Sequence, residues 1–428
     1  MAVSLALGCT ESLAIERHVP ADYASIQAAL DAAADGDSVV VAPARYYENL
    51  RFPPRAIHLR SSHGPLVTTI YGRQLETVVT FEGVPTQDSI IEGFTLTDGL
   101  DPAGFKAGGV HVGQGGSAVI RGNVIRQNLG YGRGHGISLY VPAAVVIENN
   151  EIRHNRGGGP GSSGGGGGAG IGIYASACAL ASSCVAVIRN NYIGNNHASN
   201  FSSGGGINLN GAKVDVIGNV IEFNSASSQG GGLATVNGSY ALVEGNLFRA
   251  NRAQWQGGGI QTSVSQGSRG TWIVNNTFVD NEAPDGSAMY VSGFDDQARI
   301  ANNLVQAVGS GSALECAPGF YSAPPPTRHN NIHAPQGVAY GGRCSALPGV
   351  DGNISAQPVF LGEEDFRLHY TSPGVDQGDG NLSSQVTDLS GSPRVMDGDG
   401  DGIATIDMGA YESSGPHLLF IDGFEADE

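Results

Sequence analysis

The sequence predicts an all-β fold, a right-handed parallel β-helix solenoid with three short strands per coil. Three observations lead there: a glycine-rich and charge-poor composition, a nine-residue phrase that recurs along the chain, and a near-constant step between its copies. Glycine supplies 66 of 428 residues, and Asp, Glu, Lys and Arg together only 14%, against usual shares of about 7% and about 25%. Long helices tolerate so much glycine poorly. With 40% hydrophobic residues the chain can bury a core, which separates it from disordered chains. No apolar run approaches the ~18 residues of a membrane-spanning helix, and the glycines lack the period of three that collagen needs.

The recurring phrase is I-x-x-N-x-I-x-x-N. It stands at Ile120 to Asn128, Ile147 to Asn155, Ile188 to Asn196, Val216 to Asn224, Val243 to Asn251 and Ile273 to Asn281, with a degenerate copy from Ile300 and a first turn near Ile91. Its central asparagines, at positions 123, 150, 191, 219, 246, 276 and 303, are mostly 27 to 30 residues apart, with one outlier of 41. That step is the length of one coil. Between the copies run Gly-Gly-Gly-aliphatic phrases such as Gly204 to Ile207, Gly230 to Leu233 and Gly257 to Ile260. Glycine and asparagine suit the sharp turns between strands, because both tolerate positive φ. Coils stacked about 4.8 Å apart let equivalent asparagines bond in a ladder while the Ile, Val and Phe positions merge into one core.

A solenoid must cover its two ends. At the first, Asp22 to Asp37 has the Ala content and apolar spacing of a short capping helix, followed by a strand at Val39–Val41. At the other the repeat fades after Asn331, and an irregular cap follows. The expected organisation is an export-signal remnant or disordered start over 1–14, the β-helix with its N-terminal cap over 15–345, and a C-terminal segment over 346–428. Met1 to Cys9 is apolar and ends like a lipoprotein cleavage site but lacks a basic segment; a native N-terminal strand is the alternative.

Five cysteines without a C-x-x-C pair point away from zinc and towards two disulfides in an oxidising compartment. Cys178 and Cys184 bracket a short loop, and Cys316 and Cys344 are 28 apart. One coil of separation brings the latter pair to neighbouring rungs, within the Cα range of a disulfide.

The stretch from Tyr23 to Leu50 and the repeats, about residues 20 to 345, resemble the pectate-lyase-like superfamily of right-handed β-helix proteins. The resemblance is specific for fold and not for reaction. The tail phrases Ser372 to Gly378, Asp388 to Arg394 and Asp407 to Glu412 are similar to the C-terminal segment of bacterial surface proteins grouped as choice-of-anchor Q. The alternating GGGI and F-x-x-N phrases look like the repeats of polymorphic outer-membrane adhesins. These resemblances imply a secreted or cell-surface bacterial protein that binds, or binds and degrades, a polysaccharide or cell-surface glycan. If it is an enzyme, they imply a polysaccharide lyase or glycoside hydrolase; the alternative is a non-catalytic adhesin or structural stalk.

Candidate site residues fall in three groups. Gly134-His135-Gly136-Ile137-Ser138 resembles the G-H-G-I-S phrase of polygalacturonases and makes His135 and Arg133 catalytic candidates. The N-T-D, D-D and R-I-K phrases of that family are missing, so the competing reading has turn glycines with His135 pointing outward. From Val119 to Arg156 five arginines face two glutamates, a balance of 5 − 2 = +3 in a chain of net charge −18. Arg126 and Arg153 fall on equivalent positions of consecutive coils, with His154 beside them: a site for a uronate or sulfate, or a solvated face on which Arg121, Glu148 and Arg189 alternate in sign. Tyr131, Phe201 and Trp255 stand near their glycine phrases as rings along one edge, suited to sugar stacking, and the oversized coil beside them adds a loop. In the tail, Asp397-Gly-Asp399-Gly-Asp401-Gly402 resembles a hard-cation loop, with Asp407 or Glu412 to close it, and predicts structural calcium. Only two lysines and the acidic balance argue against nucleic acid. A monomer without a membrane-spanning segment is expected.

Overall fold

The computed structural model describes residues 14–416, except 84–88, 133, 158–166, 176–184, 265–269, 294–297 and 319–322. Cys9, Arg133, Cys178 and Cys184 therefore lie outside the described residues.

Three parallel sheets of 12, 11 and 11 strands run the length of the solenoid. The first carries the opening half of each nine-residue phrase, as in Ser117–Arg121 and Ala144–Glu148. The second carries its closing half, as in Val124–Arg126 and Glu151–Arg153, and the third carries the strands after the glycine phrases, such as Ile207–Asn210. Each strand pairs with its equivalent one coil away, so Ile120 lies on Ile147 and Ile125 on Ile152. These inward positions are fully buried and form one continuous core from Val19 to Cys344. Stacking like on like keeps each layer filled by side chains of one shape, as a close-packed interior requires.

The asparagines form two ladders. In the first, Asn219 Oδ1 accepts from the backbone N–H and the Nδ2 of Asn191, while Asn219 Nδ2 donates to Asn246 Oδ1 and to the carbonyls of Ile188 and Ile217. The second, from Asn128 through Asn155, Asn196, Asn224 and Asn251 to Asn281, repeats the pattern. The positive φ expected of these asparagines belongs instead to the residue before each: Asn149, Asn190, Gly218 and Gly245 in the first ladder, and Gln127, His154, Phe223 and Ala250 in the second. The left-handed residue turns the corner, and the asparagine behind it, buried, satisfies the amides that the corner leaves open.

Beyond the three expected strands, six central coils carry a fourth, only two residues long, from Leu100–Asp101 to Arg252–Ala253. The second residue of each points inward and is small in most coils: Gly130, Gly157, Ala198, Ala226, Ala253.

The N-terminal cap is a helix at Ile26–Ala32, shorter than the Ala-rich stretch around it. Ser25 caps it through its side chain, and Glu48 accepts from the Ile26 and Gln27 amides. Ile26, Ala29 and Leu30 seal the open end of the core. At the other end Cys316 and Cys344 are joined, with Cα atoms 5.5 Å apart. Residues 356–416 fold back along the outside of the second sheet. Phe366 packs on Leu247 and Val279, Leu368 and Val375 pack on Leu304, and Ser384 donates to the buried Glu244.

Candidate functional site

The residue immediately after the second ladder asparagine is the outward residue of the fourth sheet. Arg156, His197, Ser225 and Arg252 therefore stand one above the next on consecutive coils, and Glu282 continues the column. Four of these, His197, Ser225, Arg252 and Glu282, floor an open groove of about 570 Å³, with Ser227 and Gln254 at its rim and residues 308–311 as its far wall. His197 Nδ1 is 2.6 Å from Ser225 Oγ. Burial, then the neighbouring Arg156, holds the His197 imidazole below its ordinary pKa, so it is neutral at pH 7. Arg252 faces Glu282 at 3.6 Å, both largely exposed.

Beside the groove two rings stand clear of the surface. Phe201, 70% exposed on a left-handed loop residue, lies 6.2 Å from Trp255, which follows Gln254 and is 47% exposed. The structure brings these two predicted aromatics together. Tyr131 sits apart, against Gly104, where an added Cβ would be 3.5 Å from its own.

The proposed arginine column is real in register, with Arg126 on Arg153, but part of the positive charge around it is neutralised. Arg153 pairs with Glu151, Arg121 with Glu92 and Arg189 with Glu148. Arg126 and Arg156 make no ion pair with the described residues, and His154 is an exposed corner residue at φ 54°. Glu151 and Tyr192 line a shallow hollow on the same face. Burial, then Glu222, pushes the Tyr192 phenol up to about 12.

His135 corrects the expectation most sharply: it points neither towards a substrate nor outward into solvent. It is 2% exposed, and neither ring nitrogen has a hydrogen-bond partner among the described residues. The imidazole fills the space that Gly130 and Gly157 leave; a Cβ on Gly157 would fall 1.8 Å from Nε2. Burial, then His197, pushes its pKa down to about 3, so it can serve neither as a cation for an anionic sugar nor as a surface acid. Gly134 is a turn glycine as expected, at φ 61°.

In the tail the carboxylates that converge are Asp376, Asp397 and Asp399. Asp376 replaces the expected Asp401 and Asp407 because the loop folds against it: its carboxylate accepts from the amides of Gly398, Asp399 and Thr405. Asp397 accepts from Gly400 and Gly402, and Asp401 from Ile403. Asp407 is buried and holds the amides of Asp376 and Ser413, which makes it a structural strut; burial raises it to about 7.

The family model of the right-handed β-helix region matches residues 55–197 and 109–319, more than half of the chain. The chain belongs to the right-handed β-helix family. Two solved structures are similar to this β-helix protein. One is the pectate lyase Pel9A, 13% identical with a TM-score of 0.47, over 91% of each chain. The other is an alginate lyase from Paenibacillus sp. strain FPU-7, 15% identical with a TM-score of 0.34, over 77% of this chain and 98% of that one. Neither likeness bears on substrate or reaction. No curated protein matches in sequence. No described helix is long and apolar enough to cross a membrane.

Proposed function

We propose that this β-helix protein binds a polysaccharide along the groove over its fourth sheet, outside the cytoplasm. The observation that carries this reading is the pair of exposed rings, Phe201 and Trp255, beside a groove whose floor is polar. Flat apolar rings favour sugar faces, while His197, Arg252 and Glu282 offer directional partners to hydroxyls and carboxylates. Arg126 and Arg156, on neighbouring coils and without an ion pair among the described residues, suit a glycan carrying acidic groups. The Cys316–Cys344 disulfide supports an oxidising compartment.

Retention on a panel of immobilised neutral and acidic glycans tests it. The Trp255→Ala variant should lose about tenfold in affinity for a retained glycan, the scale of one exposed aromatic anchor. Equal retention of wild type and variant, or none on any glycan, overturns the reading. The adhesin or stalk reading is favoured by the solenoid itself, whose first sheet of 12 strands at about 4.8 Å per strand makes a rod some 55 Å long. Surface attachment without glycan retention would support that alternative.

Calcium held by Asp376, Asp397 and Asp399 would order the tail without taking part in chemistry. The acidic set fits a hard cation, although Asp376 and Asp397 already receive amides. Adding millimolar calcium after chelation should raise the unfolding temperature by about 2 °C or more, and Asp399→Asn should abolish the rise. An unchanged transition removes calcium from the account.

A further inference from the structure

We propose that Ser225, His197 and Arg252 form an acyl-transfer site that removes O-acyl groups from a glycan lying in the groove. The inference rests on the groove reading above and adds a reaction to it. Hydrolysis of an ester needs a nucleophile, a base within hydrogen-bond reach and a positive group where charge develops on the carbonyl oxygen. The fourth sheet places these three on consecutive coils: His197 pairs in register with Ser225, and Ser225 with Arg252. Neighbouring coils are about 4.8 Å apart, so an acyl group over Ser225 lies within reach of both partners.

The contact geometry suits the roles. Ser225 Oγ and His197 Nδ1 are 2.6 Å apart, and with the ring proton on Nε2 the hydroxyl donates to Nδ1. Burial and Arg156 keep that imidazole unprotonated near neutral pH, which leaves Nδ1 able to take the proton. Arg252 is held only loosely by Glu282, at 3.6 Å against about 2.8 Å for a charged pair in full contact. Its side chain is 69% exposed and can turn over the floor of the groove. Phe201 and Trp255 would seat the sugar that carries the ester.

The steps balance without any further reactant than water. Ser225 Oγ attacks the ester carbonyl carbon as its proton passes to His197 Nδ1, and the oxyanion forms beside Arg252. The tetrahedral centre collapses, the bond to the sugar oxygen breaks, and His197 returns the proton to that oxygen, leaving acyl-Ser225. Water then attacks the acyl carbon with His197 taking its proton. This second tetrahedral centre collapses, the bond from the acyl carbon to Ser225 Oγ breaks, and His197 returns the proton to Oγ, so that the carboxylic acid departs and the serine hydroxyl is restored.

The test uses the whole chain with two probes, p-nitrophenyl acetate and acetylated xylan, reading p-nitrophenolate and free acetate, with labelling by a fluorophosphonate located by peptide mapping. Wild type should release acetate and carry the label on Ser225. Ser225→Ala should lose both, with at least a hundredfold fall in kcat/KM and an unchanged unfolding transition. Arg252→Gln should lower kcat about tenfold or more with KM little altered. No acetate from either probe, or a Ser225→Ala variant as active as wild type, overturns the proposal and leaves Ser225 and His197 as a rung-to-rung hydrogen bond. Because p-nitrophenyl acetate does not need the aromatic ledge, its hydrolysis reports on the chemistry alone. Glycan retention reports on the groove, so the failure of one is distinguishable from the failure of the other.

Discussion

His135 occupies a position that neighbouring coils give to Gly108, Ala169, Gly205, Gly231 and Gly258. Small residues there let the fourth sheet close on the third; His135 is accommodated only because Gly130 and Gly157 face it. The consequence is a pH dependence of defined sign. The folded state holds the imidazole near pKa 3 against 6.5 for the free group, so the unfolded chain binds a proton that the folded chain refuses. Stability is unaffected above pH 6.5 and falls as the pH drops from there towards 3. At pH 5 the cost is about 2 kcal/mol. Urea unfolding at pH 7 and pH 5 should show His135→Ala losing less stability over that interval than wild type, by roughly that amount. Parallel losses in the two proteins would contradict it.

At the scale of the element, the strands are too short to hold themselves and depend on the asparagine ladders that run across them. Asn219 is fully buried and serves five bonds through one side chain. Asn219→Ala would leave carbonyls and an amide unpaired inside the stack, at a cost of about 3 kcal/mol or more. Chemical denaturation should register this as a lowered midpoint, whereas Lys213→Ala, an exposed residue on the preceding strand, should shift it little. The ladder was legible in the sequence because its period is. The fourth sheet was not: two residues carry too little pattern, and only after the coils are superposed does the residue following each second asparagine emerge as a column. His197, Ser225, Arg252 and Glu282 were missed for that reason.

At the scale of the molecule, a solenoid transmits contacts only between neighbours, so its ends and its added segments decide how it fails. The Cys316–Cys344 bond closes a separation of 28 residues at the C-terminal end, which in the chain-entropy view is a constraint of about 3–4 kcal/mol. Reduction should therefore lower the unfolding temperature and first expose amides of the last coils to hydrogen exchange, leaving the central ladder protected; uniform loss of protection would show instead that the rod unfolds as one unit. The tail ties back across that region. Arg249 joins Glu222 and Glu364, the Ala410 amide donates to Thr277, and Arg394 meets Glu412 in a buried pair at 2.9 Å.

The sequence by itself determined the solenoid, its coil length, the inward aliphatic columns, the asparagine ladders and the Cys316–Cys344 pairing, since each follows from a repeat that stacks like upon like. It also located Phe201 and Trp255 on one edge. Tertiary structure alone decided which side chains converge across coils. It turned His135 inward because Gly157 makes room, neutralised Arg153 with Glu151, and brought Asp376 to Asp397 and Asp399 from 21 residues before the loop. These outcomes depend on the shape of neighbouring coils and on chain folding back from a distance, and a one-dimensional period contains neither.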